Sequence, residues 1–126
     1  LIEDNELHAL LFELVLEKRY RVETTTSYAE AWRRLQETPQ DSLPHVILID
    51  IRLGGANSGL ELVRRVRDDA RMRHIAVVAL TGYPLQYVAA EAHDAGCVAC
   101  IEKPFKATDL TREVERVLAV CSLNVA

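Results

Sequence analysis

A chain of 126 residues, 49% hydrophobic and 27% charged, is the size of one globular domain with one core and too short for two substantial ones. Its formal charge of -4 argues against general nucleic-acid binding, which needs a basic field to displace counterions from phosphates, and its apolar runs fall far short of a membrane span. No signal peptide is visible; the chain starts at Leu1 rather than Met, so the true amino terminus is expected upstream of a soluble, cytoplasmic domain.

Leu1-Ile2 reads as the end of a strand, followed at once by the carboxylates Glu3 and Asp4. Asn5 to Lys18 is helical by composition but holds more apolar residues than one buried face needs. Leu11, Phe12, Val15 and Leu16 make an inward stripe, while Leu7, Leu10 and Leu14 make a neighbouring stripe that is either a wide core face or a partner-docking surface. Tyr20 to Thr25 is a short strand ending in threonines. Ser27-x-x-Glu30 is a capping box, which opens a helix with Ala29, Trp32 and Leu35 on its inner face and an end before Pro39. Gln40 to Pro44 is a polar connection.

His45-Val-Ile-Leu-Ile-Asp50 is an unbroken apolar run closed by a carboxylate, the pattern of a strand buried on both faces of a parallel sheet. Its last residue falls at the sheet's carboxyl edge, where open α/β folds bind ligands, which makes Asp50 the first candidate for chemistry. The loop Ile51 to Gly59 is glycine-rich but has no Walker or Gly-x-Gly-x-x-Gly spacing, so a nucleotide site is weakly supported. Ser58-x-x-Glu61 caps a helix carrying Leu60, Leu62, Val63 and Val66, and the arginines from Arg64 to Arg73 crowd its end as a solvated, dipole-compensating cluster. Ile75 to Leu80 is a second continuous apolar strand, ending in Thr81-Gly82. Pro84 suits a first helical position, the helix from Leu85 to about Ala95 closes at Gly96, Cys97 to Ile101 is the last strand, and Thr108 caps the final helix.

The cysteines Cys97, Cys100 and Cys121 are odd in number, which favours free thiols over a disulfide framework. Cys97 and Cys100 form a Cys-x-x-Cys, but residues three apart on a strand point to opposite faces, so core packing is preferred to a shared metal or bond.

Strand and helix alternate five times, the pattern of a three-layer sandwich around a parallel sheet. Every strand but the second then delivers a polar group to one edge: Glu3 and Asp4, Asp50, Thr81, and Lys103 just after the fifth. Three converging carboxylates repel one another, and a divalent cation relieves that repulsion; an all-oxygen site with open positions favours magnesium. A lysine and a threonine hydroxyl suit the oxygens of a phosphoryl group, so the constellation reads as a phosphorylatable aspartate.

On Glu3-Asp4-Asn5, Asp50, Thr81-Gly82 and Lys103-Pro104-Phe105, in that order, the chain resembles over essentially its whole length the receiver domain of two-component response regulators. The resemblance implies a flavodoxin-like fold with a five-stranded parallel sheet of order 2-1-3-4-5 and five helices, the domain spanning 1–121 and a tail 122–126. It implies that Asp50 takes a phosphoryl group from a sensor histidine kinase or histidine phosphotransfer protein, and that Asp4, Asp50 and the Arg52 backbone carbonyl bind Mg2+, with Glu3 at longer range. Thr81 would bond the phosphoryl group and Lys103 pair with it across a cis Lys103-Pro104 bond. The last two helices and the strand between them would be the switching face, open to an output partner or a homodimer, with no direct contact to nucleic acid or membrane. The chain would not be an enzyme beyond its own phosphorylation chemistry.

Departures from the family's pattern carry expectations too. Gly54 stands where a proline is usual and Gly59 arrives one residue late, which predicts a more mobile loop. Cys100 replaces the usual aromatic switch residue, and Arg52 and Tyr83 stand where bulk would hinder water and lengthen the acyl phosphate's life. Two alternatives stand beside this reading. A phosphohydrolase of the haloacid dehalogenase type would need a second aspartate where Arg52 stands. A pseudo-receiver would use the fold for protein interaction alone.

Overall fold

The structure, a computed structural model, describes residues 1–51 and 59–124, with side chains up to residue 120. Three strands form the regular sheet: β1 (Val46–Asp50), β2 (Ala76–Thr81) and β3 (Ala99–Glu102), parallel and in that order. Asp50 is paired with Leu80, and Thr81 with Glu102, so the strands end together at one edge. Around them lie α1 (Glu6–Leu16), α2 (Tyr28–Glu37), a short 3-10 helix (Gln40–Ser42), α3 (Gly59–Asp68), α4 (Leu85–Ala95) and α5 (Ala107–Asn124).

The two strands expected before β1 survive as single parallel bridges, Ile2 to Thr25 and Ile2 to Ile49. These bridges are held by backbone hydrogen bonds on both sides of Ile2: Ile2 N–H donates to Leu48 at 2.7 Å, Asp50 N–H to Ile2 at 2.8 Å, and Glu3 N–H to Thr25 at 3.0 Å. The spatial order of the five segments is nevertheless 2-1-3-4-5, the order of the α/β receiver fold.

Alternation along the strands divides the core. Ile47, Ile49, Val77 and Ala79 face a cluster built with Ala31, Leu35, Leu60, Val63, Val66 and Ala92 of α2, α3 and α4. Leu48, Ala76, Val78 and Leu80 face the other way, onto Leu16, Leu110, Val114 and Val117 of α1 and α5. That two-sided burial is why β1 and β2 read as continuous apolar runs.

Local signals held where their partners were local. Ser27 Oγ accepts from the Glu30 N–H at 3.2 Å, as the capping box predicts, and Asn5 caps α1 by accepting from the His8 N–H at 3.0 Å. Gly96 closes α4 at φ 123°, in the left-handed region, where a Cβ would also meet Arg67 Cδ at 2.9 Å. Arginines of the α3 end are tied to neighbours, Arg67 to the Asp94 carbonyl and Arg71 to the Thr38 carbonyl, both at 2.5 Å, and Arg65 lies over the Trp32 ring.

Several details differ from the sequence reading. On α2 the inward alanine is Ala31, and Ala29 is exposed. Pro84 sits one residue before α4. α5 begins at Ala107, so Thr108 lies inside its first turn and the Asp109 carboxylate instead accepts from the Lys106 N–H at 3.1 Å; the helix runs on to Asn124, into the segment read as a tail. Leu11 does not face inward: Leu7, Leu10, Leu11 and Leu14 are 64%, 53%, 49% and 53% exposed, while Ala9 and Leu16 are buried. Cys97 lies before β3 begins, so strand alternation does not separate it from Cys100; both thiols are free and pack against the same cluster. Burial, and then the proximity of Cys100, pushes the Cys97 thiol up to about 12, which suits packing rather than reactivity.

Candidate functional site

The chain leaves the sheet at Glu3 to enter α1, β1 ends at Asp50, β2 at Thr81, and Lys103 follows β3. These four side chains, with Asp4, therefore meet at the carboxyl edge. One oxygen from each of Glu3, Asp4 and Asp50 lies within 4.8 Å of the other two. Lys103 Nζ is 3.5 Å from Asp50 Oδ1 and in direct contact with Glu3 Oε1, and the ammonium lies 5.9 Å from the centre of the Phe12 ring. The Lys103-Pro104 bond is cis, as expected.

Glu3 and Asp50 share this lysine yet shift in opposite directions. Burial drives the Glu3 carboxyl up, but bonds with Lys103 and Asp50 and the Asn5 N–H at 3.3 Å outweigh it and leave the pKa lowered. Asp50 is pushed up to about 6, first by burial and then by the hydrogen bond and charge of Glu3, with Lys103 opposing. Two carboxylates around one ammonium thus hold one charge comfortably and the second at a cost. An all-oxygen cluster with that surplus of negative charge suits a hard divalent cation.

Thr81 is fully buried, and its Oγ1 accepts from the Tyr83 N–H at 2.9 Å. The same hydroxyl donates to the Tyr83 carbonyl at a long 3.5 Å, at a position one residue beyond Asp50's partner on the neighbouring strand. Tyr83 itself is half-exposed. Arg52, Gly54 and the loop expected to be mobile lie outside the described residues.

Two neighbours of the site were not anticipated. His8 Nδ1 is 3.8 Å from Glu3 Oε1. Tyr28 Oη donates to the Asp50 carbonyl at 2.6 Å, and burial, aided by the charges of Asp50 and Glu3, raises the phenol to about 12, so it keeps its proton. A histidine in a helix's first turn and a tyrosine after a cap carry no motif; what recruits them is the return of α1 and α2 to the same edge.

A parallel α/β sandwich with a lysine-bridged acid cluster at its carboxyl edge and a buried threonine hydroxyl on the next strand defines a class of signalling domain rather than a classical enzyme. The chain belongs to the response regulator receiver domain family, whose model matches residues 1–115, and is thereby a phosphoacceptor module of two-component signalling. It is 35% identical over 105 residues to the polar-differentiation response regulator DivK of Brucella ovis, covering 82% of this chain and 81% of that one. Among solved structures, the receiver domain of NtrX from Brucella abortus is 25% identical with a TM-score of 0.79, over 94% of this chain and 95% of that one. The longer NtrX chain solved with ADP is 26% identical with a TM-score of 0.83; this chain is covered to 98% and spans 27% of that one. A CheY-like receiver domain protein from Methanospirillum hungatei shares the fold with a TM-score of 0.85 at 21% identity, covering 98% and 94% of the two chains. Among the described residues, no helix is long and apolar enough to cross a membrane.

Proposed function

We propose that Asp50 is the phosphoacceptor of this receiver, loaded by a sensor histidine kinase or a histidine phosphotransfer protein. The observation that carries the reading is the meeting of Asp50 with Glu3, Asp4 and Lys103 at one sheet edge. An Asp50 carboxylate oxygen forms the new bond to phosphorus as the donor's phosphorus–nitrogen bond breaks, and the histidine nitrogen keeps the electron pair. Asp4, Asp50 and the Arg52 carbonyl would hold Mg2+, with Glu3 acting at longer range. Bound there, Mg2+ would supply charge neutralisation to phosphoryl oxygens and favour the ionised form of Asp50 against the burial and the Glu3 charge that raise its pKa.

Once Asp50 is loaded, Lys103 would turn from the carboxylate to the phosphoryl oxygens, and the Thr81 hydroxyl would donate to one of them. Lys103 follows β3, and its N–H donates to the Thr81 carbonyl at 2.6 Å, so the two move on joined backbone. The new charge thereby biases α4, β3 and α5, the face we assign to an output partner or a second copy. With Cys100 half-buried where relatives carry a ring, that bias runs through Thr81 and Lys103 rather than through an aromatic side chain. We place the domain in the cytoplasm with the kinase's catalytic parts.

The test is intact-protein mass after incubation with Mg2+ and acetyl phosphate, comparing wild type with Asp50→Asn. A phosphoryl-sized gain that needs both Mg2+ and Asp50 is expected. Folded wild type that gains no mass would overturn the reading in favour of a pseudo-receiver.

A further inference from the structure

The backbone around Asp50 is held from several sides. Its N–H donates to the Ile2 carbonyl at 2.8 Å, and the next N–H, of Ile51, donates to the Leu80 carbonyl at 2.8 Å. Gly59, at the start of α3, lies so near that a Cβ there would meet the Asp50 carbonyl oxygen at 3.1 Å. That same oxygen accepts from Tyr28 Oη at 2.6 Å. The tyrosine is itself fixed: it opens α2 directly behind the Ser27 cap, and its ring packs against the cluster on that side of the sheet. The hydroxyl thus ties the first turn of α2 to the last peptide of β1.

We propose that Tyr28 is a positioning residue for phosphoryl transfer, fixing through the Asp50 carbonyl the direction in which the acceptor carboxylate and the chain after it leave β1. The inference rests on Asp50 being the acceptor. Tyr28 touches no reacting atom; it acts on the backbone carbonyl joined to the Cα that carries the acceptor side chain. In-line attack on phosphorus demands alignment, and a small misplacement of a reacting group costs rate out of proportion to its cost in stability.

Tyr28→Phe keeps the ring and removes only the donor. At saturating Mg2+ and acetyl phosphate, with both proteins folded, its labelling rate is expected to fall about tenfold, equivalent to about 1.4 kcal/mol in the barrier. The Asp50 carbonyl carbon-13 resonance is expected to move as its hydrogen bond is lost. Placing 4-aminophenylalanine at position 28 restores a donor on the same ring and is expected to restore most of the rate. A Tyr28→Phe rate equal to wild type, while Asp50→Asn takes no label, overturns this inference and leaves the acceptor reading intact. A slow Tyr28→Phe that the amino ring does not restore also overturns it, because the loss then lies in packing. Wild type that takes no label removes the acceptor reading and this inference with it.

Discussion

The middle of the sheet and its carboxyl edge, one residue apart along β1 and β2, are built on opposite terms. In the middle, Ile49, Val78, Ala79 and Leu80 are completely buried among apolar neighbours on both faces. At the edge, Glu3 and Thr81 are equally buried, but Glu3 is a carboxylate beside a second one, with a single ammonium bridging the pair. Every contact in the middle lowers the free energy of folding. The edge holds like charges together, which favours an arriving cation and makes the charge of Asp50, though not that of Glu3, a burden on the metal-free fold. Stability and chemistry are therefore separable here, and substitutions in the two places should move them in opposite senses.

The largest stability effect is expected in the middle. Leu80→Ala removes a fully buried side chain between β2 and the α1 and α5 layer and should cost about 2–5 kcal/mol, read as a lower urea midpoint with an unchanged slope. The folded fraction should still label at Asp50. If the variant kept its stability, or lost labelling while folded, the separation of the two regions would fail.

The edge should behave in the reverse sense. Asp50 has a folded-state pKa of about 6, raised from 3.8, so the fold prefers it protonated. Below the unfolded value near 4 that preference adds stability in full; as pH rises through about 6 it is lost, and the ionised group becomes a burden. Asp50→Asn should therefore be more stable than metal-free wild type at pH 7.5 by on the order of 1–3 kcal/mol, with the gap narrowing as pH falls and closing near pH 4. Millimolar Mg2+ should raise the wild type toward the variant, and chelation should reverse it. A metal-free wild type more stable than Asp50→Asn at pH 7.5 would show that Lys103 already neutralises both carboxylates.

The same contrast explains what the sequence made legible. β1 and β2 could be read because a strand buried on two faces leaves a continuous apolar run, and Asp50 and Thr81 stood out as the polar residues that end those runs. The edge constellation followed from topology, since parallel strands deliver their last residues to one side. Pairings between distant segments were not legible. The first two segments pair through single bridges at Ile2, and Cys97 falls beside Cys100 because β3 starts later than its apolar pattern does. Tyr28 and His8 reach the site from helices whose local sequence carries no trace of it. Leu11 looked inward because composition alone cannot say which of two neighbouring stripes the core will take.

That last stripe sharpens the comparison, because it belongs to neither region. Leu7, Leu10, Leu11 and Leu14 recur at helical spacing, are half-exposed or more, and line α1 beginning four residues after Glu3. Exposed leucines that leave the core complete contribute little to folding, so replacing Leu10 and Leu14 together by glutamine should change stability by less than about 1 kcal/mol, the smallest effect of the series. On the function proposed above, these exposed leucines of α1 offer a protein donor a surface to rest on near Asp50. The double variant should take a phosphoryl group from acetyl phosphate at the wild-type rate and from its kinase or phosphotransfer protein about tenfold more slowly, since acetyl phosphate needs only the edge whereas a protein donor needs a surface as well. Equal slowing with both donors would mean that α1 acts through the edge it leads into, and unchanged rates with both would place the donor's contact elsewhere.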